Sequence, residues 1–173
     1  KPQNLPLEPV LDAAGNPVSG SKSISVVKNS GTAVLSGPTP QSTNASGLAT
    51  FPGLILTGAT GPNTLLFSTA GLTADTTSTI TRTSGAATQI AANSVTTQSD
   101  TVGLPVAAPP SVVIRDANNN PVAGVAVTFA VTAGGGSILP VTRVPTNASG
   151  IATLTSWTLG AAAGANTLTA TVT

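Results

Sequence analysis

Histidine and cysteine are both absent from the 173 residues. Their loss removes the side chains most often used as bases, nucleophiles and metal ligands near neutral pH. No cysteine means no disulfide and no thiolate metal site, and the absence fits a bacterial cell surface as well as a cytosol. The remaining acids and bases are few and scattered. Five carboxylates, Glu8, Asp12, Asp75, Asp100 and Asp116, are spread along the chain, and Lys1, Lys22 and Lys28 are the only lysines. A serine or threonine nucleophile needs a base within hydrogen-bonding reach, and nothing in the sequence clusters such a base beside one. The sequence therefore predicts no enzyme and assigns no catalytic, cofactor-binding or metal-ligating residue.

Charge is also scarce. Charged residues make up 6% of the chain and the net charge is +1, so the basic footprint of a nucleic-acid binder is missing. Aromatic residues are 2%, one Trp and three Phe with no Tyr. A core must then be assembled from Val, Ile, Leu and Ala, and the abundance of Thr and Val favours strands. Mean hydropathy is +0.32, yet the apolar runs are short and broken by Pro or Gly, as in Val102-Gly103-Leu104-Pro105-Val106. None approaches the ~20 residues of a membrane-spanning helix. Lys1-Pro2-Gln3-Asn4 has no apolar signal core behind its one positive charge, so any export signal is expected outside this sequence.

What the chain has in quantity is repetition. Val10-Leu11-Asp12-Ala13-Ala14-Gly15-Asn16-Pro17-Val18-Ser19-Gly20 returns as Ile114-Arg115-Asp116-Ala117-Asn118-Asn119-Asn120-Pro121-Val122-Ala123-Gly124, shifted by 104 positions. Thr43-Asn44-Ala45-Ser46-Gly47-Leu48-Ala49-Thr50 returns as Thr146-Asn147-Ala148-Ser149-Gly150-Ile151-Ala152-Thr153, and Gly61-Pro62-Asn63-Thr64-Leu65 as Gly164-Ala165-Asn166-Thr167-Leu168, both shifted by 103. A period of this size is one domain with its own core. The repeated positions are turn residues and alternating apolar residues, so a scaffold has been copied and no reactive cluster came with it.

Period-two alternation is clearest at Val125, Val127, Phe129 and Val131, a half-buried strand. Its first-copy counterpart, Ser23-Ile24-Ser25-Val26-Val27, is less apolar, and the change of shift puts one extra residue between Gly20 and Ile24, to be absorbed by a bulge or longer turn. Asn16-Pro17, Asn120-Pro121, Ala45-Ser46-Gly47 and Ala148-Ser149-Gly150 mark turns at short spacing, and no apolar 3.6 period is long enough for a helix. The prediction is an all-β chain of two Greek-key sandwiches, repeat 1 over 1–85 and repeat 2 over 86–173, with the flexible stretch Thr83 to Thr88 at the boundary. Val127, Phe129, Leu154, Trp157 and Leu168 are the expected core of the second.

Asp116 to Phe129, the triplet Gly134-Gly135-Gly136, Thr146 to Ala152, Trp157-Thr158-Leu159-Gly160 and Gly164 to Leu168 together resemble the group 1 bacterial immunoglobulin-like repeat. The first copy matches the same landmarks more loosely, with Gly31-Thr32-Ala33 for the triplet and Leu54 for the Trp. That resemblance implies immunoglobulin-like sandwiches and the extracellular rods of invasin- and intimin-type adhesins and other repetitive surface proteins. The family's repeats mostly supply length, with binding carried by other modules. Counting along the repeat, residues 91–104 have no counterpart in the first copy and residues 71–82 none in the second. The first repeat is therefore expected to lack its opening strand and the second its closing strand.

Four motifs admit a functional and a plain reading. Asp116-Ala117-Asn118-Asn119-Asn120 has the oxygen spacing of a calcium loop, but Pro121 stands where Gly is wanted and Val127 where the terminal Glu belongs. An Asx-type turn that needs no calcium is predicted. Asn44-Ala45-Ser46 and Asn147-Ala148-Ser149 match a glycosylation acceptor, and a hairpin turn explains them without a sugar. Trp157 is read as core rather than as a sugar-stacking platform, and the glycine triplet as a flexible loop rather than a phosphate cradle, since no Lys-Ser/Thr follows it. Function is then expected to be structural, part of an extracellular bacterial stalk or repetitive adhesin, with neighbouring repeats as partners. The alternatives are a self-assembling filament closed by strands exchanged between chains, and a carbohydrate- or receptor-binding module.

Overall fold

The computed structural model describes residues 9–12, 14–18 and 21–172. Lys1 and Glu8 lie outside the described residues, and the extra residue between Gly20 and Ile24 comes before Lys22, which bonds Thr43 as Val125 bonds Thr146. Every regular element among those described is a β-strand. The chain divides into two compact units, Lys1–Thr83 and Ser84–Thr173.

The second unit contains β8 (Ala87–Ala92), β9 (Ser111–Asp116), β10 (Ala126–Ala133), β11 (Gly136–Leu139), β12 (Val144–Pro145), β13 (Ile151–Thr153), β14 (Ser156–Leu159) and β15 (Thr167–Val172), after β1 to β7 of the first. One sheet runs β13-β9-β8, a second β12-β10-β15, and β11 pairs with β14. Ile114 from β9 and Ala152 from β13 meet Val127 and Phe129 from β10 in one buried cluster with Leu154. Two sheets thus bury their facing sides against each other, and successive strands cross between them as in a Greek key. The alternation of β10 is the cause: Val127 and Phe129 point inward, while Ala130 between Phe129 and Val131 is exposed. Leu168 departs from expectation, being only partly buried against this cluster.

The first unit contains β1 (Ser23–Ser30), β2 (Ala33–Ser36), β3 (Gln41–Ser42), β4 (Ile55–Gly58), β5 (Gly61–Ser68), β6 (Asp75–Thr76) and β7 (Ile80–Arg82). Its main sheet runs β3-β1-β5-β6, with β7 also on β5, and β2 pairs with β4. The two units share register down to an irregularity. Val26↔Phe67, Lys28↔Leu65 and Ser30↔Thr64 of β1 and β5 return as Phe129↔Ala170, Val131↔Leu168 and Ala133↔Thr167 of β10 and β15, the bulge falling at the same place. A bulge retained in both copies is part of the scaffold.

One landmark moves. Ile138 pairs with Trp157, whereas its counterpart Leu35 pairs with Leu56 and not with Leu54. The hairpin has slipped by two residues between the copies, which keeps the same side chains on the same face because strand periodicity is two.

Candidate functional site

The most developed constellation in the chain is a loop used four times. In each, an Asp or Asn carboxyl or amide oxygen accepts the backbone N–H groups two and four residues on. Asp12 takes Ala14 and Asn16, Asn44 takes Ser46 and Leu48, Asp116 takes Asn118 and Asn120, and Asn147 takes Ser149 and Ile151. The residue three positions on has positive φ in every case: Gly15 at 81°, Gly47 at 74°, Asn119 at 65° and Gly150 at 73°. Its N–H returns to the carbonyl of the first residue. Asn is the non-glycine residue that best tolerates this region, which is why it can replace Gly at 119.

Two of these loops dock on the other two. Ile114 donates its N–H to Gly150 O at 2.7 Å and Val10 donates to Gly47 O at 3.0 Å. A Cβ on Gly150 would lie 2.6 Å from Ile114 O, and one on Gly47 2.8 Å from Val10 O. Thr146 locks the arrangement, its buried hydroxyl donating to Val122 O and accepting from Val125 N, and Thr43 accepts from Lys22 N in the same manner.

Asp116 has one partner more than its sister. Besides Asn118 and Asn120 N–H and the Asn120 carboxamide, it accepts the N–H of Gly85 at 2.9 Å, and only 2% of the residue is exposed. The Gly85 N–H, then the Asn120 side chain and the N–H groups of Asn120 and Asn118, hold its carboxyl at about 2, outweighing the opposing effect of burial. Asp12, exposed, is also lowered, chiefly by Asn16 N–H. In the Asp116 loop both carboxylate oxygens accept from donors of the protein, whereas in the Asp12 loop only Oδ1 accepts from backbone N–H groups.

The other sequence candidates do not converge. Asp100 accepts from Thr101 and Ala107 N–H, and Asp75 from Thr76 N–H. Among the described residues no group of three or more Asp, Glu, His or Cys is placed to hold a metal. The glycine triplet is exposed, and its backbone conformation requires glycine. A Cβ on Gly134 would collide with the Asn166 carboxamide and one on Gly136 with Thr158 O, and φ at 134, 135 and 136 is 80°, 75° and 93°. Close approach excludes a side chain at 134 and 136, whereas at 135, where a Cβ would have space, the positive φ is what favours glycine.

Trp157 is buried, 9% exposed, and its indole Nε1 has no hydrogen-bond partner. It lines a cleft of about 610 Å³ in the second unit, together with Val106, Phe129 and Leu168. The first unit has an apolar cleft of about 560 Å³ lined by Ile24, Phe51, Phe67, Leu72 and Ile80, with Phe51 and Phe67 edge to face at 5.6 Å.

These features define a class: an all-β chain of two repeated sandwich units whose recurrent polar side chains fasten backbone. No family model and no curated protein matches the chain. Among solved structures it is similar to one described as the D0-D1 domain of intimin, at 22% identity, over 94% of this chain and 78% of that one, with a TM-score of 0.38. The class rests on the strands, registers and cores above.

Proposed function

We propose that this chain is a non-enzymatic structural module, two tandem repeats of an extracellular bacterial stalk or repetitive adhesin. The observation that supports it most is what the two copies have in common. The shared features are four backbone-fastening loops, two docked glycines and one bulge, all of which specify a sandwich and none of which presents a reagent to solvent. A shared scaffold without a shared reactive or contact cluster fits repeats that supply length and shape. The burial of Trp157 supports the structural reading over a sugar-binding one, since a stacking platform needs an exposed ring.

Pulling the chain from its two ends tests the proposal. Two separate unfolding peaks are expected, each releasing roughly 30 nm of chain at full extension. Smooth extension without peaks would remove the role in transmitting tension. Cleavage of the protein by protease added to intact source cells is the matching test of location, and full resistance that disappears on lysis would place it inside.

A further inference from the structure

The chain enters the second unit through β8, and none of the six residues of that strand is buried; Ile90, its one large apolar side chain, is 45% exposed. Apolar burial therefore does little to hold β8, and hydrogen bonds must do it. Its ladder with β9 is irregular at the start, where Ala87 pairs with Asp116 and Gln89 with Arg115, so that the register shifts between Ala87 and Gln89. Asp116 gathers the fastenings at this point. Besides pairing with Ala87, it accepts the Gln89 carboxamide on its carbonyl at 2.9 Å and, two residues before the strand, the Gly85 N–H on Oδ2 at 2.9 Å.

The other loops of this geometry show what the second oxygen is for. In those of Asn44 and Asn147 a single amide oxygen accepts both N–H groups of the turn, so the turn itself needs only one. Asp116 serves its own turn in the same way, Oδ1 accepting Asn118 and Asn120 N–H. Its Oδ2 takes the Asn120 carboxamide and, from outside the turn, Gly85. An asparagine would support the turn equally well but would present a donor to the Gly85 N–H. Before the boundary, Arg82 at the end of β7 donates its guanidinium to Gly58 O and Ala59 O within the first unit. Only Thr83 and Ser84 lie between the two fastened residues.

We propose that Asp116 is a latch on the entering chain and sets the length of free chain between the two units. Closed, it limits that segment to Thr83 and Ser84, a reach of about 7 Å. Opened, it releases the chain as far as the register shift, and the segment grows to residues 83–88, a reach of about 20 Å. No burial resists the release, since residues 85–88 are all exposed. The remainder of β8 stays attached, paired from Gln89 to Ala92 and tied at its far end by Asn93, which donates to Ser111 O and Oγ. The inference goes beyond the stalk reading and does not depend on it, because the latch belongs to the fold of the second unit in any setting.

Backbone amide relaxation of the 173-residue chain, measured by NMR, tests the latch. In the parent, Ala86 and Ala87 are expected to be as rigid as strand backbone, with order parameters of about 0.85. Asp116→Asn keeps the turn and removes the acceptor, whereas Gly85→Pro keeps the carboxylate and removes the donor. Each should lower the order parameters of Ala86 and Ala87 below about 0.6 while Val113 and Leu154 hold their parent values. Gly85→Ala retains the N–H, its Cβ would meet Asp116 Oδ2 at an ordinary 3.6 Å, and the segment should stay rigid. Asp116→Asn combined with Gly85→Pro should loosen the segment no further than either change alone, because both break one bond. A mobile Ala86 in the parent, a rigid Ala86 in both single variants, equal loosening in Gly85→Ala, additive loosening in the double variant, or loosening that spreads to Val113 and Leu154 would each overturn the proposal.

Discussion

Asp116 accepts more hydrogen bonds than any other carboxylate described, and its environment has a consequence for pH. Folding lowers its pKa from 3.8 to about 2, so the folded state holds fewer protons than the unfolded one in that interval. Its contribution to stability is therefore complete above about pH 4 and is lost as the pH falls through 2. Denaturant unfolding of the parent and of Asp116→Asn should give stabilities that converge as the pH drops from 4 to 2, and parallel curves would show that the carboxylate is not the group concerned. A different residue-scale constraint acts at Gly150, where positive φ coincides with the close approach of Ile114 O. Gly150→Val should cost the second unit about 2 kcal/mol or more. Asn119→Gly, in a loop of the same geometry that requires no such approach, should stay within about 0.5 kcal/mol of the parent. If both variants melt with the parent, neither φ nor contact matters as argued.

At the scale of elements, the recurrent loop is the unit from which the sandwiches are assembled, and it was only half legible in the sequence. The T-N-A-S-G copies stand out because they are identical. The Asp12 and Asp116 loops obey the same geometry with Asp for Asn and, at 119, Asn for Gly, so the equivalence lies in backbone requirements rather than in residue identity. Spacing of Asp or Asn three residues before Gly or Asn is the signal that joins all four. The inward residues of β10 and the burial of Leu154 and Trp157 followed from alternation alone, since local periodicity decides which face a strand turns to the core. Partial burial of Leu168 did not follow, because it depends on what lies beyond the strand's far edge. The two-residue slip opposite Leu35 was equally hidden, as Leu54 and Leu56 satisfy the same alternation. The loops carry a measurable share of stability. Asn147→Ala removes the acceptor of two N–H groups and should destabilise the second unit by about 1 kcal/mol, read as a shift in denaturation midpoint at unchanged slope. An unshifted midpoint would mean that water serves those groups equally well.

For the whole molecule, the question is whether two units with one scaffold answer to perturbation together or singly. Each has buried residues of its own, Ile24, Val26, Ala49 and Leu65 in the first, Ile114, Val127, Phe129, Leu154 and Trp157 in the second. The sole tryptophan sits in the second, so indole emission reports that unit alone, while the far-ultraviolet dichroism of the strands reports both. Gly47 and Gly150 meet the same strain at the same point of the scaffold, and this supplies a matched pair of perturbations. Gly47→Val should lower the dichroism transition and leave the Trp157 transition within about 0.5 kcal/mol of the parent, as expected for sites that share no partners. Gly150→Val should move the Trp157 transition. Were Gly47→Val to shift the indole curve as far as Gly150→Val does, the two units would unfold as one cooperative body, and the pulling experiment would then show a single large event in place of two.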